Sequence, residues 1–238
     1  MKKLFKAFGF DKKDIDTYII LLSAPLLLTL YVCFGEAKNF TNIFSSYTAN
    51  PLSDYYGHIY QFIAFFVLVG IIPFLYLTLK IRKPLGDFGF GFGDAKFGLI
   101  FALISIIVII LPMIYFSAKM PDLRAEYPMA KILLTRRGLI FQYELAYVIF
   151  YYTAWEFFFR GFILFGLKDK VGAMNAILIQ TISSCLVHIG KPNGEIIGSI
   201  IFGIIMGVLA LRTRSIWYPF LIHISMGIMT DIFIIYMR

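Results

Sequence analysis

The stretch Tyr151-Tyr152-Thr153-Ala154-Trp155-Glu156-Phe157-Phe158-Phe159-Arg160-Gly161 decides how the rest of the chain is read. It lies inside a long apolar run, yet it holds an acid and a base. Glu156 and Arg160 are four residues apart, so on a helix they share one face and can pair. Charge at membrane depth is costly, and such residues usually face a bundle interior or a wet cavity. Composition shows why a membrane is the relevant solvent. Of 238 residues, 60% are hydrophobic and only 15% are charged, against about 25% charged in soluble domains. Mean hydropathy is +0.81. A soluble fold of this size would struggle to hide 26 Phe and 15 Tyr. The chain reads as an all-α polytopic membrane protein.

The formal charge of +8 first reads as topology and contact with anionic membrane lipid. The basic residues are scattered between apolar runs, which argues against nucleic acid as a partner. Cys33 and Cys185 lie in apolar segments and form neither metal-ligand spacing nor a disulfide framework.

Working outward, the apolar runs predict about seven spans, at 17–34, 59–79, 97–116, 139–167, 172–189, 196–211 and 216–236. Residues 1–16 form a basic tail, whose first ten residues read equally as a short interfacial helix or a plain tail. Residues 17–138 are N-terminal membrane helices and loops, and 139–238 form the core that carries the site. The run 139–167 exceeds the roughly 20 residues needed to cross, so it is tilted, broken or partly outside the hydrocarbon.

A seven-span count puts the tail and the basic runs at 80–83, 168–170 and 212–214 on one side, which predicts a cytoplasmic N-terminus. The segment 118–138 is unusually basic for the opposite side, with Lys119, Arg124, Lys131, Arg136 and Arg137. Either it lies flat as an amphipathic segment or the span count is off nearby. The alternating Gly and Phe of 86–93 follow no predicted strand, so they read as an aromatic interfacial loop rather than a nucleotide loop. His58, among tyrosines, reads as structural. Gly203 and Gly207 form a G-x-x-x-G pair that permits close helix approach.

Four late segments each bring ionisable groups to membrane depth. One carries Glu156 and Arg160, the next ends in His188, and the next opens with Glu195. The last carries His223 and Asp231, eight apart on one helix face, with Gly227 midway leaving room beside them. Convergence of these groups predicts one functional polar cavity.

In this order, Glu-x-x-x-Arg-Gly, then a His near the end of one span, then a His in the last, the chain resembles the CAAX prenyl protease and bacteriocin-processing (CPBP or Abi-type) membrane proteases. That family's motifs are Glu-Glu-x-x-x-Arg, Phe-x-x-x-His and His-x-x-x-Asn. Here the first glutamate is Trp155, the Phe is Ser184 and the Asn is Gly227, while Glu156, Arg160, His188 and His223 are kept. The resemblance covers roughly 139–231. It implies a helical intramembrane endopeptidase of the bacterial cytoplasmic membrane, metal-free and without another cofactor. Its substrate is expected to be a membrane-associated peptide or protein, lipidated or bacteriocin-like. In the family the first glutamate activates water.

Hydrolysis needs an activated water, a base and an oxyanion donor. Glu156 is the expected acid, His188 and His223 its partners, with Asp231 or Glu195 as alternative bases. Three other readings remain. A zinc protease would use His188, His223 and a carboxylate from Glu195 or Asp231, although no His-Glu-x-x-His helix is present. A catalytically degenerate member would bind a peptide or lipid tail, or act in immunity. A transporter is disfavoured, because the polar residues fall nearly all in one half of the chain rather than in matched repeats.

Overall fold

The computed structural model describes residues 9–237. The expected interfacial helix at 1–10 therefore lies, all but its last two residues, outside the described residues. Among the described residues every regular element is helical. Six helices are long and apolar enough to cross a membrane: α1 (Lys12–Gly35), α2 (Ser53–Ile81), α3 (Ala95–Ser117), α4 (Arg137–Val171), α6 (Asn193–Thr213) and α7 (Trp217–Tyr236). The polytopic helical class expected from composition is the observed one.

One expected span differs. Residues 172–189 hold a shorter helix, α5 (Ala173–Leu186). Its 14 residues rise only about 21 Å, short of the ~30 Å hydrocarbon core. The turn that follows ends at Pro192, which cannot extend a helix from within. Hydropathy counts apolar residues and misses this early stop. The helix is held by polar contacts. Gln180 is fully buried, and its Nε2 donates to the Gly203 carbonyl of α6 at 2.8 Å. A Cβ at Gly203 would press on Thr181, and one at Gly207 on Gln180 and Ile177. The G-x-x-x-G pair thus does what its spacing suggests. Lipid tails are as apolar as side chains, so close contact and interhelical hydrogen bonds hold such helices together.

Helix α4 is the hub. Its most apolar window is 72% buried, against 28–39% for the other five long helices. It fits its 35 residues into the bundle partly by wide, i→i+5 turns at Tyr147–Tyr152 and Phe157–Phe165. These wider turns rise less per residue. Every residue from Phe157 to Phe165 is buried. Aromatic rings join α4 to α2: Phe62 stacks on Tyr147 at 4.4 Å, and Phe65 stacks on Tyr151 at 4.3 Å and on Trp155 at 5.8 Å. Each such pair contributes about 0.5–1.5 kcal/mol beyond its burial.

The bundle has two distinct ends. At one, Lys170 meets Asp14 at 2.8 Å and Arg212 meets Asp94 at 2.9 Å. The Gly-Phe loop belongs here. Its Gly89 carbonyl accepts from the Ile216 amide at 2.9 Å, and its Phe90 carbonyl accepts from the Trp217 indole N–H at 2.9 Å. The loop therefore seats the first turn of α7. At the other end, residues 118–136 fold onto the bundle through a short helix, Pro121–Glu126, with Ala130 and Leu133 fully buried.

The basic character of that second segment has a structural cause. Arg124 donates to the Met237 carbonyl at 3.2 Å, and Arg137 donates to the Ile235 carbonyl at 3.5 Å. Both side chains thus cap the negative end of the α7 dipole. Among the described residues the segment holds no further helix long and apolar enough to cross a membrane.

Candidate functional site

The centre forms where α4 crosses α7. The Gly-Phe loop fixes the start of α7, and His223 follows almost two turns later. His223 Nδ1 lies 2.7 Å from Glu156 Oε1. The same carboxylate oxygen is 3.3 Å from Arg160 Nη1. Glu156 and Arg160 are each 1% exposed. A buried carboxylate beside a buried guanidinium forms an ion pair in which each charge compensates the other. The carboxylate must then accept, so His223 carries its proton on Nδ1 and presents the lone pair of Nε2. Glu156 thereby fixes both the tautomer and the orientation of the imidazole, the arrangement that makes histidine an effective base.

The second imidazole is oriented in a similar way. His188 sits in the turn after α5, and its Nδ1 is 2.9 Å from the Ser184 carbonyl. A carbonyl only accepts, so His188 also carries its proton on Nδ1. Trp155 stands between the histidines, edge-on to His188 at 5.3 Å and to His223 at 5.7 Å between ring centroids. The position where the resembled family has its first glutamate therefore does point at both imidazoles, and an indole fills it.

Two of the candidate acids lie apart from this centre. Glu195 Oε1 accepts from the Tyr127 hydroxyl at 2.8 Å. Tyr127 comes from the segment between α3 and α4, and burial beside Glu195 pushes its phenol well above the usual range. The phenol stays a neutral donor. Next to it, Lys191 pairs with Glu126 at 2.5 Å. Asp231 and Glu144 of α4 are both buried, and no carboxyl oxygen of either has a hydrogen-bond partner. Neither Glu195 nor Asp231 shares a hydrogen bond with a histidine. Among the described residues no three His, Cys, Asp or Glu side chains converge closely enough to hold a metal ion. The ligand set of the zinc reading is thus not assembled.

Sequence reasoning did not single out Tyr127, Lys191 or Tyr152 as parts of the site. Tyr127 and Lys191 join only through tertiary contacts between loops. Tyr152 had a signal, in Gly227. A Cβ at position 227 would run into the Tyr152 hydroxyl, so the room left beside α7 is taken by that phenol. Its ring also lies edge-on to His223 at 4.7 Å.

Fold and site together define a polytopic helical membrane protein with a carboxylate–imidazole centre buried between its helices. Residues 137–229 match the family model described as Rce1-like, type II CAAX prenyl endopeptidase. Over these residues, from the start of α4 into α7, the chain carries the CAAX prenyl protease resemblance that its motifs display, and that family is a family of proteases. No curated protein and no solved structure matches the chain.

Proposed function

We propose that the protein is an intramembrane endopeptidase that cuts a membrane-associated peptide. The observation that carries this reading is the 2.7 Å contact between His223 and Glu156, made inside the bundle by two separate helices. In the proposed step His223 Nε2 takes a proton from water as the oxygen adds to the peptide carbonyl carbon. The imidazolium then returns that proton to the leaving amine as the C–N bond breaks, so the base is regenerated. Glu156 stabilises the imidazolium, and Arg160 balances the charge of Glu156. His188 is the second polar group facing the same indole, and it orients the water or substrate. No metal is needed for this step. The end bearing Lys170 and Arg212 is assigned to the cytoplasm, since cytoplasmic loops collect Lys and Arg.

One observation favours a second reading. Trp155 fills the place between the imidazoles, as expected of a degenerate member that binds a peptide or lipid tail without cutting it. Purified protein in liposomes, given prenylated and unmodified peptides and followed by mass spectrometry, separates the two. The protease reading expects cleavage by the wild type and its loss in His223→Ala. No cleavage by the wild type, with cleavage appearing in Trp155→Glu, would establish the degenerate reading instead.

A further inference from the structure

His188 owes its place to the turn that carries it. Helix α5 ends at Leu186, and the His188 ring bonds the Ser184 carbonyl of that same helix at 2.9 Å. The ring therefore goes where the end of α5 and its turn go. The Lys191 amide donates to the His188 carbonyl at 3.0 Å, and the Glu195 amide donates to the Pro192 carbonyl at 2.8 Å as α6 begins. A short turn between helices opens readily unless tertiary contacts hold it.

Two side chains from this region reach one neighbouring pair. Lys191 Nζ lies 2.5 Å from Glu126 Oε1, 3.5 Å from Met129 Sδ and 5.2 Å from the Tyr127 ring centroid. The Tyr127 hydroxyl donates to Glu195 Oε1 at 2.8 Å. Lys191 and Glu195, four residues apart, thus meet Glu126 and Tyr127, which are adjacent. The Lys191 and Glu126 side chains are 25% and 30% exposed, so their pair is screened less than one in open solvent. The far side of the tie is anchored as well. Its segment buries Ala130 and Leu133. The Ile132 amide donates to Asp54 Oδ2 of α2 at 3.1 Å, and Arg124 holds the end of α7.

We infer that Glu126, Tyr127, Lys191 and Glu195 form a clasp that fixes the α5–α6 turn and so places the His188 imidazole against Trp155, beside the His223 centre. All four are positioning residues that act through His188. Glu126 and Tyr127 lie before the residues 137–229 that match the family model, so the clasp makes the segment ahead of the match a part of the site. Its use in turnover rests on the proposed hydrolysis; its hold on His188 does not.

The chain has three histidines, and nitrogen-15 NMR of labelled histidine follows each without any substrate. In Lys191→Ala and in Tyr127→Phe the His188 ring proton should exchange on the order of tenfold faster, as a tying hydrogen bond is lost, while His223 keeps its rate. Lys191→Arg, which keeps the charge, should keep the wild-type rate at His188. Tyr127→Phe removes a single oxygen and leaves the ring packed, which guards against a folding defect. An unchanged His188 rate in either of the first two variants, an equal rise in Lys191→Arg, or equal acceleration at His223 overturns the inference. In cleavage, Lys191→Ala should lower kcat about tenfold with KM unchanged, and should cause no further loss in a His188→Ala background. An unchanged kcat, or a further loss in that background, also overturns it. Absence of cleavage by the wild type refutes the protease reading alone, because the exchange rates decide the clasp independently.

Discussion

At the residue scale, the centre depends on one acid serving two partners. Glu156 Oε1 faces both His223 and Arg160, and the four-residue spacing of Glu156 and Arg160 made that pair legible in the sequence. What could not be read was the rotation that turns Trp155 toward both histidines, because side-chain direction depends on the turns of α4 around it. Likewise, Gly227 signalled space without showing what fills it. The structure places the Tyr152 phenol there, which gives a direct stability prediction. Gly227→Ala should destabilise the protein by about 1–3 kcal/mol through overpacking. The same substitution in a Tyr152→Phe background should cost distinctly less, because the colliding oxygen is gone. Thermal unfolding in detergent measures both, and equal losses in the two backgrounds would contradict the assigned contact.

At the element scale, helix boundaries and loop roles were only partly legible. The long spans follow from runs of apolar residues, and that information is local. The shortness of α5 and the docking of residues 118–136 depend on contacts between distant segments. Arg124 and Arg137 find their partners in backbone carbonyls of α7, which no residue pattern displays. The loop that seats α7 offers a pH test. Asp94 lies outside the spans, and the Phe97 amide, followed by Arg212, holds its carboxyl below the usual value of 3.8. A carboxyl lowered on folding adds stability that is present above its unfolded pKa and is lost as pH falls through the folded value. Hydrogen exchange should therefore show residues 85–94 loosening as pH drops below about 4. Asp94→Asn should show no such added loosening; an identical acid response in that variant would remove Asp94 from the account.

At the scale of the whole molecule, α4 is the hub and the polar groups follow it from Glu144 to Arg160. The sequence placed the candidate site after 139, where Glu156, Arg160, His188, Glu195, His223 and Asp231 fall within or beside apolar runs. It did not show that Glu156 and His223 meet, while the buried carboxyls of Glu144 and Asp231 stand apart from them without hydrogen-bond partners. Glu144 lies twelve residues before Glu156 on α4, and Asp231 eight residues after His223 on α7, so neither reaches the centre. The two ends of the bundle also make a topology prediction. In a variant freed of Cys33 and Cys185, a cysteine at Lys83 and one at Thr48 should label from opposite faces of sealed vesicles. The Lys83 position should react from the cytoplasmic face, and labelling of both from one face would contradict the span assignment.

The claim on which the account turns is that Glu156 and His223 act as one catalytic unit. Peptide cleavage by the wild type, Glu156→Gln, His223→Ala and the double variant tests it most directly. Each single variant should lose roughly 100-fold or more in kcat, and the double variant should be no worse than His223→Ala, as for groups that work together. Wild-type cleavage by either single variant, or losses that multiply in the double variant, would contradict it.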